Sequence, residues 1–372
     1  MMPFYLSSLK GVSGIYTFVN EAEAYEKLVN RGGKVFYFNN GLVKLHPDRM
    51  NIPIHGEEKE SLNTVHNYDV IEIELTGVVN TVFSWESSDN ALVITSCCNS
   101  NCVICPSSEN SRKCNSATDI KRLLEIIEYI PGDANHLTIT GGEPTLIGEE
   151  LIQLLYKLKE KFTRTEFLLL TNGRSFSNKE YASALINSFP NNTTIAIPIY
   201  GYDEQTHDGI TNAKGSFREA YLGIKRLLRA GQRVEIRVVV SKLNFNHIDK
   251  VSELICNNFK GIKCVNFIGL EMRGNAARNK DKVWIDYSQA FNAIEGPIRI
   301  LVNSGIDVGI YNFPLCAVGR AYWWLCRRSI SDYKVKYYEE CDECSVKKIC
   351  GGVFESTKTI VDIGVNPIKQ TI

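Results

Sequence analysis

Three cysteines within eight residues, Cys98-Asn99-Ser100-Asn101-Cys102-Val103-Ile104-Cys105, constrain this chain more than any other stretch. They follow an apolar run, Ala91-Leu92-Val93-Ile94-Thr95, that reads as a buried strand. The thiols therefore lie on a loop leaving a strand's C-terminal end, where α/β folds place their chemistry. Such crowding suits one metal centre. Three thiolates on a four-iron cluster leave one iron without a protein ligand. An open iron binds and activates a small molecule, whereas a fully ligated cluster mainly moves electrons. Other readings stay open at this point: zinc with a fourth ligand from elsewhere, small buried hydrophobes, or half of a disulfide framework.

The chain of 372 residues has room for one large domain with extensions, or for two to three domains. Lysine plus arginine (42) equal aspartate plus glutamate (42), which argues against nucleic acid as the main partner. No apolar run reaches membrane-spanning length, and Lys10 with two glycines interrupts the apolar N-terminus. The expectation is a cytoplasmic protein with neither a signal peptide nor a membrane partner. Twelve cysteines then read as metal ligands plus reduced core thiols.

Residues 1–88 read as a small β-rich module. Val35–Phe38 and Val70–Leu75 look like strands, Asn39-Asn40-Gly41 is a turn, and His55–Glu60 reads as a solvated loop. Over 89–280 strands alternate with helices, which implies parallel βα units. Helices are expected over Asp119–Ile130 (capped by Thr118), Glu149–Lys161, Gly215–Ala230 and Ile248–Asn258. Strands are expected at Ala91, Leu137, Phe167, Thr194, Val234 and Cys264, with Pro198 at a strand end or bulge. The fold class is α/β, a partial (β/α)6 TIM-type barrel.

Residues 281–372 open with a helix over Tyr287–Val302 and a strand at Val308–Tyr311. Cys341, Cys344 and Cys350 follow with metal-site spacing, beside Gly351-Gly352. Cys316 is the expected fourth thiol, because Pro314 and the preceding strand fix its place. Cys326 is the rival, and structural zinc is the other reading of the set.

The cysteine loop and the later turn Gly141-Gly142-Glu143-Pro144 together resemble the radical S-adenosylmethionine (SAM) superfamily. The resemblance implies a [4Fe-4S] cluster on Cys98, Cys102 and Cys105, with SAM on the open iron; Cys97 is out of register. It implies that Gly141, Gly142 and Glu143 receive the SAM amino group. It also puts Thr171 and Asn172 on the same rim, Arg237 at the SAM carboxylate, and Gly269 and Glu271 in the segment packing on adenine. Arg237 also reads as an outward-facing strand residue. The C-terminal cysteines resemble the SPASM or twitch extension of peptide-modifying relatives. Phe354 stands where the full SPASM pattern has another cysteine, which leaves one auxiliary [4Fe-4S] cluster on Cys316, Cys341, Cys344 and Cys350.

From about Val70 onward the chain resembles more closely the C-type radical SAM maturase of His-Xaa-Ser systems. The motifs are Ile197-Pro198-Ile199-Tyr200, Trp284-Ile285-Asp286, Asn312-Phe313-Pro314-Leu315-Cys316, Ser329–Lys334 and Cys350–Ser356. The resemblance implies modification of a ribosomally made His-Xaa-Ser repeat peptide, a second radical SAM partner protein and an external electron donor. Tyr200, Tyr202 and His207 are candidate substrate contacts. A radical SAM enzyme for a small molecule or another protein, and a non-catalytic iron–sulfur or zinc scaffold, are the alternatives.

Overall fold

The computed structural model describes residues 3–112, 119–331 and 333–369. Thr118, and Asp332 of the Ser329–Lys334 motif, lie outside the described residues.

The N-terminal part is built on seven strands. They are β1 (Phe4–Tyr5), β2 (Gly14–Val19), β3 (Val35–Asn39), β4 (Leu42–His46), β5 (Met50–Pro53), β6 (Val70–Ile73) and β7 (Val78–Phe83), in the order β1-β7-β6-β2-β3-β4-β5. Helix α1 (Ala22–Val29) makes the one parallel crossover, from β2 to β3. Strand β3 is apolar without alternation because both its faces are covered. Phe36 stacks on Phe18 at 5.6 Å on one face, and Tyr37 meets Tyr25 of α1 at 4.8 Å on the other. The stretch expected as a solvated loop instead carries a short helix, α2 (Glu57–Leu62). Its Leu62 is fully buried and its glutamates sit in the first turn, where the helix dipole favours them.

Eight parallel strands follow in chain order. They are β8 (Ala91–Val93), β9 (His136–Thr140), β10 (Glu166–Leu170), β11 (Thr193–Pro198), β12 (Arg233–Val240), β13 (Cys264–Gly269), β14 (Asp307–Tyr311) and β15 (Cys326–Arg327). The first six are the expected set, and Pro198 ends its strand as expected. The segment around Val308 does not stand apart: it pairs with β13 and extends the same sheet. The sheet is open, with β8 and β15 at its two edges.

The crossover helices are α3 (Ile120–Tyr129), α4 (Glu149–Lys161), α5 (Lys179–Ser188), α6 (Glu204–Thr211), α7 (Ser216–Arg229) and α8 (Ile248–Asn258). Two short helices, α9 (Gly274–Arg278) and α10 (Lys280–Val283), lead into α11 (Tyr287–Asn303). The described cap of α3 is Asp119, which accepts from the Arg122 N–H at 3.0 Å.

Alternate strand residues divide cleanly between two faces. Leu169, Ile195, Ile236, Val238 and Val265 are fully buried, in one core cluster with Leu154, Leu185, Ile224, Ile255 and Leu301 from the helices. Among the intervening residues, Leu170, Arg237, Val239, Cys264 and Tyr311 are partly covered, while Thr194, Ala196, Glu235 and Asn266 are buried. They line the inner wall of a partial barrel. Two ion pairs fasten the N-terminal sheet to α3, Arg122–Glu72 at 2.5 Å and Lys34–Glu125 at 2.8 Å.

The chain closes with a two-stranded ribbon, β16 (Val335–Lys336) and β17 (Val353–Phe354), and helix α12 (Glu355–Ile360). Among the described residues no helix is long and apolar enough to cross a membrane.

Candidate active site

The loop after β8 has almost no regular structure, so its shape is set by what holds it. Two of its amides are taken by carbonyls of α6: Asn101 N–H donates to Thr211 at 3.1 Å, and Val103 N–H to Ile210 at 2.9 Å. Arg112, itself buried, donates to the Ser100 carbonyl and to Asn101 Oδ1, both at 2.6 Å. Asn275 of α9 reaches Asn101 Oδ1 at 2.8 Å and the Cys102 carbonyl at 3.1 Å. Arg174 donates to the Asn99 carbonyl at 2.5 Å. Buried or half-buried polar groups need partners. Here the partners come from several separate elements, and together they fix where the three thiols stand.

Cys98, Cys102 and Cys105 are free and partly exposed. Burial pushes the Cys102 thiol up to about 12, and the charges of Cys105 and Cys98 add to that shift. Burial likewise raises Cys98, with Glu143 and Cys105 contributing. The three thiols thus share one electrostatic environment, and a metal must displace their protons to bind them. Cys97, left out of the set by register, is disulfide-bonded. That corrects the expectation that every thiol outside the metal groups is reduced.

The glycine turn packs directly against this loop. Gly142 N–H donates to the Thr95 carbonyl at 2.7 Å, and Glu143 N–H to the Cys97 carbonyl at 2.6 Å. A Cβ on Gly142 would lie 2.1 Å from the Cys97 carbonyl oxygen, and one on Gly141 2.3 Å from that of Thr95. Only glycine permits this approach, and Gly141 also takes φ of 154°.

Glu143 is fully buried. Its Oε1 accepts from Thr145 N–H (3.0 Å), Thr145 Oγ1 (2.6 Å) and Thr171 Oγ1 (2.7 Å), and its Oε2 from Asn172 N–H (2.6 Å). Burial still raises its pKa, against these hydrogen bonds. Three of these donors sit on Oε1 and one on Oε2, so the side chain joins the glycine turn to the end of β10 while Oε2 keeps a free lone pair. Asn172 continues the chain of contacts, donating from Nδ2 to Asn99 Oδ1 at 2.7 Å.

Arg237 lies on the inner wall, with its Nε 2.6 Å from Glu235 Oε1. It lies on the face of β12 opposite the fully buried Ile236 and Val238. Tyr200 stacks on His207 at 5.6 Å, and all three thiols and Arg237 act on its hydroxyl electrostatically. Tyr202 packs instead on His247 and under Lys250. Gly269 and Glu271 are engaged with the C-terminal part. A Cβ on Gly269 would meet the Asn312 carbonyl oxygen at 2.5 Å, and Ser356 Oγ donates to Glu271 at 3.2 Å.

The second cysteine group lines one pocket. Cys316, Cys341, Cys344 and Cys350 all face it, with Tyr337, Val346 and Asn366. Cys326 is not on its wall; its Sγ lies 3.8 Å from the Tyr322 carbonyl, and burial raises its pKa to about 12. Backbone N–H groups of Leu315 and Gly352 each donate to Cys350 Sγ at 3.4 Å. Among the described residues, no three His, Cys, Asp or Glu side chains gather as around a single ion. Four thiols in one pocket are a donor set that suits zinc or an iron–sulfur cluster.

Sequence reasoning missed Arg112, Asn275 and Arg174, whose roles depend on contacts across the fold. It also missed the residues near Asn366 that wall the second cavity.

The Radical SAM superfamily pattern matches residues 92–255. Over 166 residues, 45% of this chain, the sequence is 26% identical to the sporulation killing factor maturation protein SkfB of Bacillus subtilis, covering 39% of that protein. Over 118 residues, 30% of each chain, it is 33% identical to a cysteine-type anaerobic sulfatase-maturating enzyme of Clostridium novyi. The chain thus spans well under half the length of these relatives. Among solved structures, SuiB of Streptococcus suis superposes with a TM-score of 0.49 at 16% identity, covering 68% of this chain and 55% of that one.

Proposed function

Given a radical SAM domain over residues 92–255, we propose that this chain is an enzyme that modifies a ribosomally made peptide by hydrogen abstraction, the peptide being of the His-Xaa-Ser repeat class. The observation that carries the reading is the joint between the cysteine loop and the glycine turn, in which Glu143 N–H bonds the Cys97 carbonyl at 2.6 Å. Cys98, Cys102 and Cys105 would hold a [4Fe-4S] cluster with one iron left free for SAM, and the reduced pair would supply the one-electron chemistry needed for hydrogen abstraction.

The chain's own residues prepare the place for that chemistry. Arg112, Arg174 and Asn275 hold the loop in one geometry. Gly141 and Gly142 let the turn approach the loop, leaving polar backbone at its rim. Arg237, steadied by Glu235, offers its remaining guanidinium N–H groups to a carboxylate. Tyr200, stacked on His207, is a candidate substrate contact in this reading. The two relatives named above are named for maturing another polypeptide, whereas a third, a probable GTP 3',8-cyclase of Sulfurisphaera tokodaii 25% identical over 173 residues, is named for a small molecule. In this reading 1–88 is the β-rich module, 89–280 the radical SAM barrel and 281–372 the auxiliary iron–sulfur part. A second radical SAM protein and an electron donor act as partners.

Anaerobic reconstitution with iron and sulfide, followed by SAM and a reductant, tests the enzymology. 5′-Deoxyadenosine and methionine should form in equal amounts. Coexpression with a His-Xaa-Ser peptide should change the peptide's mass. Cofactor cleavage without a mass change would reject that peptide as substrate, and no cleavage would reject the reaction.

A further inference from the structure

Helix α9 holds the cysteine loop, and the last helix of the chain holds α9. Asn275 of α9 bonds Asn101 Oδ1 and the Cys102 carbonyl. The Ala276 N–H donates to the Cys105 carbonyl at 3.1 Å, and Asn279 Nδ2 donates to the Val103 carbonyl at 3.2 Å. Cys102 and Cys105 thus have their own carbonyls fixed from this stretch. The packing is close: a Cβ on Gly274 would lie 2.5 Å from the Pro106 carbonyl oxygen, and Gly274 takes φ of 56°. A movement of α9 therefore moves the loop.

Helix α9 has only five residues, and a helix that short is held by packing and not by its own propensity. Its hold comes from α12. The Met272 N–H, on the buried segment between β13 and α9, donates to Thr357 Oγ1 at 3.0 Å across 85 positions of sequence. Thr357 is itself fully buried. Ser356 Oγ reaches Glu271 at 3.2 Å, and beyond α9 the Lys280 ammonium donates to the Ile360 carbonyl at 3.1 Å. Helix α12 thus grips the chain on both sides of α9. The Thr357 bond is the one inside the core, where an amide left without a partner is costly. The other two lie nearer the surface, where water can replace them.

We propose that Thr357 is a positioning residue for the cysteine loop. Its hydroxyl oxygen fixes Met272, Met272 sets the start of α9, and α9 sets the backbone of Cys102 and Cys105. This rests on the reading of Cys98, Cys102 and Cys105 as the ligands of the reactive centre. The C-terminal part then serves that centre as well as its own cysteines.

The test compares Thr357→Val, which keeps the shape and removes the hydroxyl, with Thr357→Ser, which keeps the hydroxyl, in the full-length protein. In the iron-free protein, amide hydrogen exchange over residues 99–106 should quicken about tenfold in Thr357→Val and match the parent in Thr357→Ser. In the reconstituted protein, Thr357→Val should keep its iron and change the EPR line shape of the centre that responds to SAM. It should also slow 5′-deoxyadenosine formation on the order of tenfold to a hundredfold, and Thr357→Ser should restore both. Three results overturn the proposal: exchange quickened evenly over the whole chain, exchange and line shape unchanged in Thr357→Val, or Thr357→Ser as impaired as Thr357→Val. Should Thr357→Val not fold, Thr357→Ala, which leaves room for water at the Met272 amide, takes its place with the same outcomes. A parent protein that forms no 5′-deoxyadenosine defeats the reading of the site, while exchange over 99–106 still decides the positioning.

Discussion

The two cysteine groups solve opposite problems. The loop after β8 is held from outside, by side chains of Arg112, Arg174 and Asn275 and by α6 carbonyls, and its three thiols are partly exposed. The C-terminal group is held by its own backbone, through Leu315 and Gly352 amides on the Cys350 sulfur, and lines a pocket of the chain. A site that must admit a second molecule spends side chains from distant elements on its geometry. The difference teaches that ligand number alone does not define a centre's role; what surrounds the sulfurs does.

The largest effect should come from emptying the open site. Changing Cys98, Cys102 and Cys105 together to alanine should abolish 5′-deoxyadenosine formation and remove about half of the iron. Retention of cofactor cleavage would place the chemistry at the other group. Next comes the closed site. Cys316→Ala should lower iron per chain, while Cys326→Ala, off the cavity wall, should leave it unchanged. The reverse result would reassign the fourth ligand.

Smaller again is the joint between turn and loop. Glu143→Ala strands four buried donors, and should cost about 3–5 kcal/mol of stability, seen in a denaturant titration of the unloaded protein. If stability is unchanged and only SAM affinity falls, Glu143 serves the cofactor and not the joint.

The mildest effect concerns pH. Burial lowers the His207 pKa from 6.5 to about 4. The unfolded chain takes up that proton first, so the stabilisation is complete above about pH 6.5 and is lost as pH falls towards 4. It amounts to roughly 3 kcal/mol. His207 Nδ1 accepts from Tyr200 N–H at 3.2 Å, and its helix supplies the carbonyls that hold the cysteine loop. His207→Gln should flatten the stability profile between those pH values. An unchanged slope would mean that another group titrates there.

Much of this was legible in the chain itself. Alternation of strands and helices gave the parallel sheet, because Ile195, Ile236 and Val265 must be buried under helices whatever the details. Cysteine spacing and the glycine turn pointed to the two places that matter. The membership of Asp307–Tyr311 in the main sheet was not legible, since a strand's partners lie outside its own sequence. The short helix at Glu57–Leu62 was hidden because its glutamates resemble a solvated loop until Leu62 finds a core. Asn275 and Arg112 carry no local signal, because an asparagine or arginine gains its role only from what the fold brings to it. Glu143 was found, but its four internal donors were not, for the same reason.

The account's central claim is one open and one closed centre in the same chain. EPR of the reduced, fully reconstituted protein, recorded with and without SAM, addresses it directly. SAM should shift the g-values of one of two equally intense signals and leave the other unmoved, and the unmoved signal should be the one lost in Cys316→Ala. A shift of both signals, or of neither, would contradict the claim.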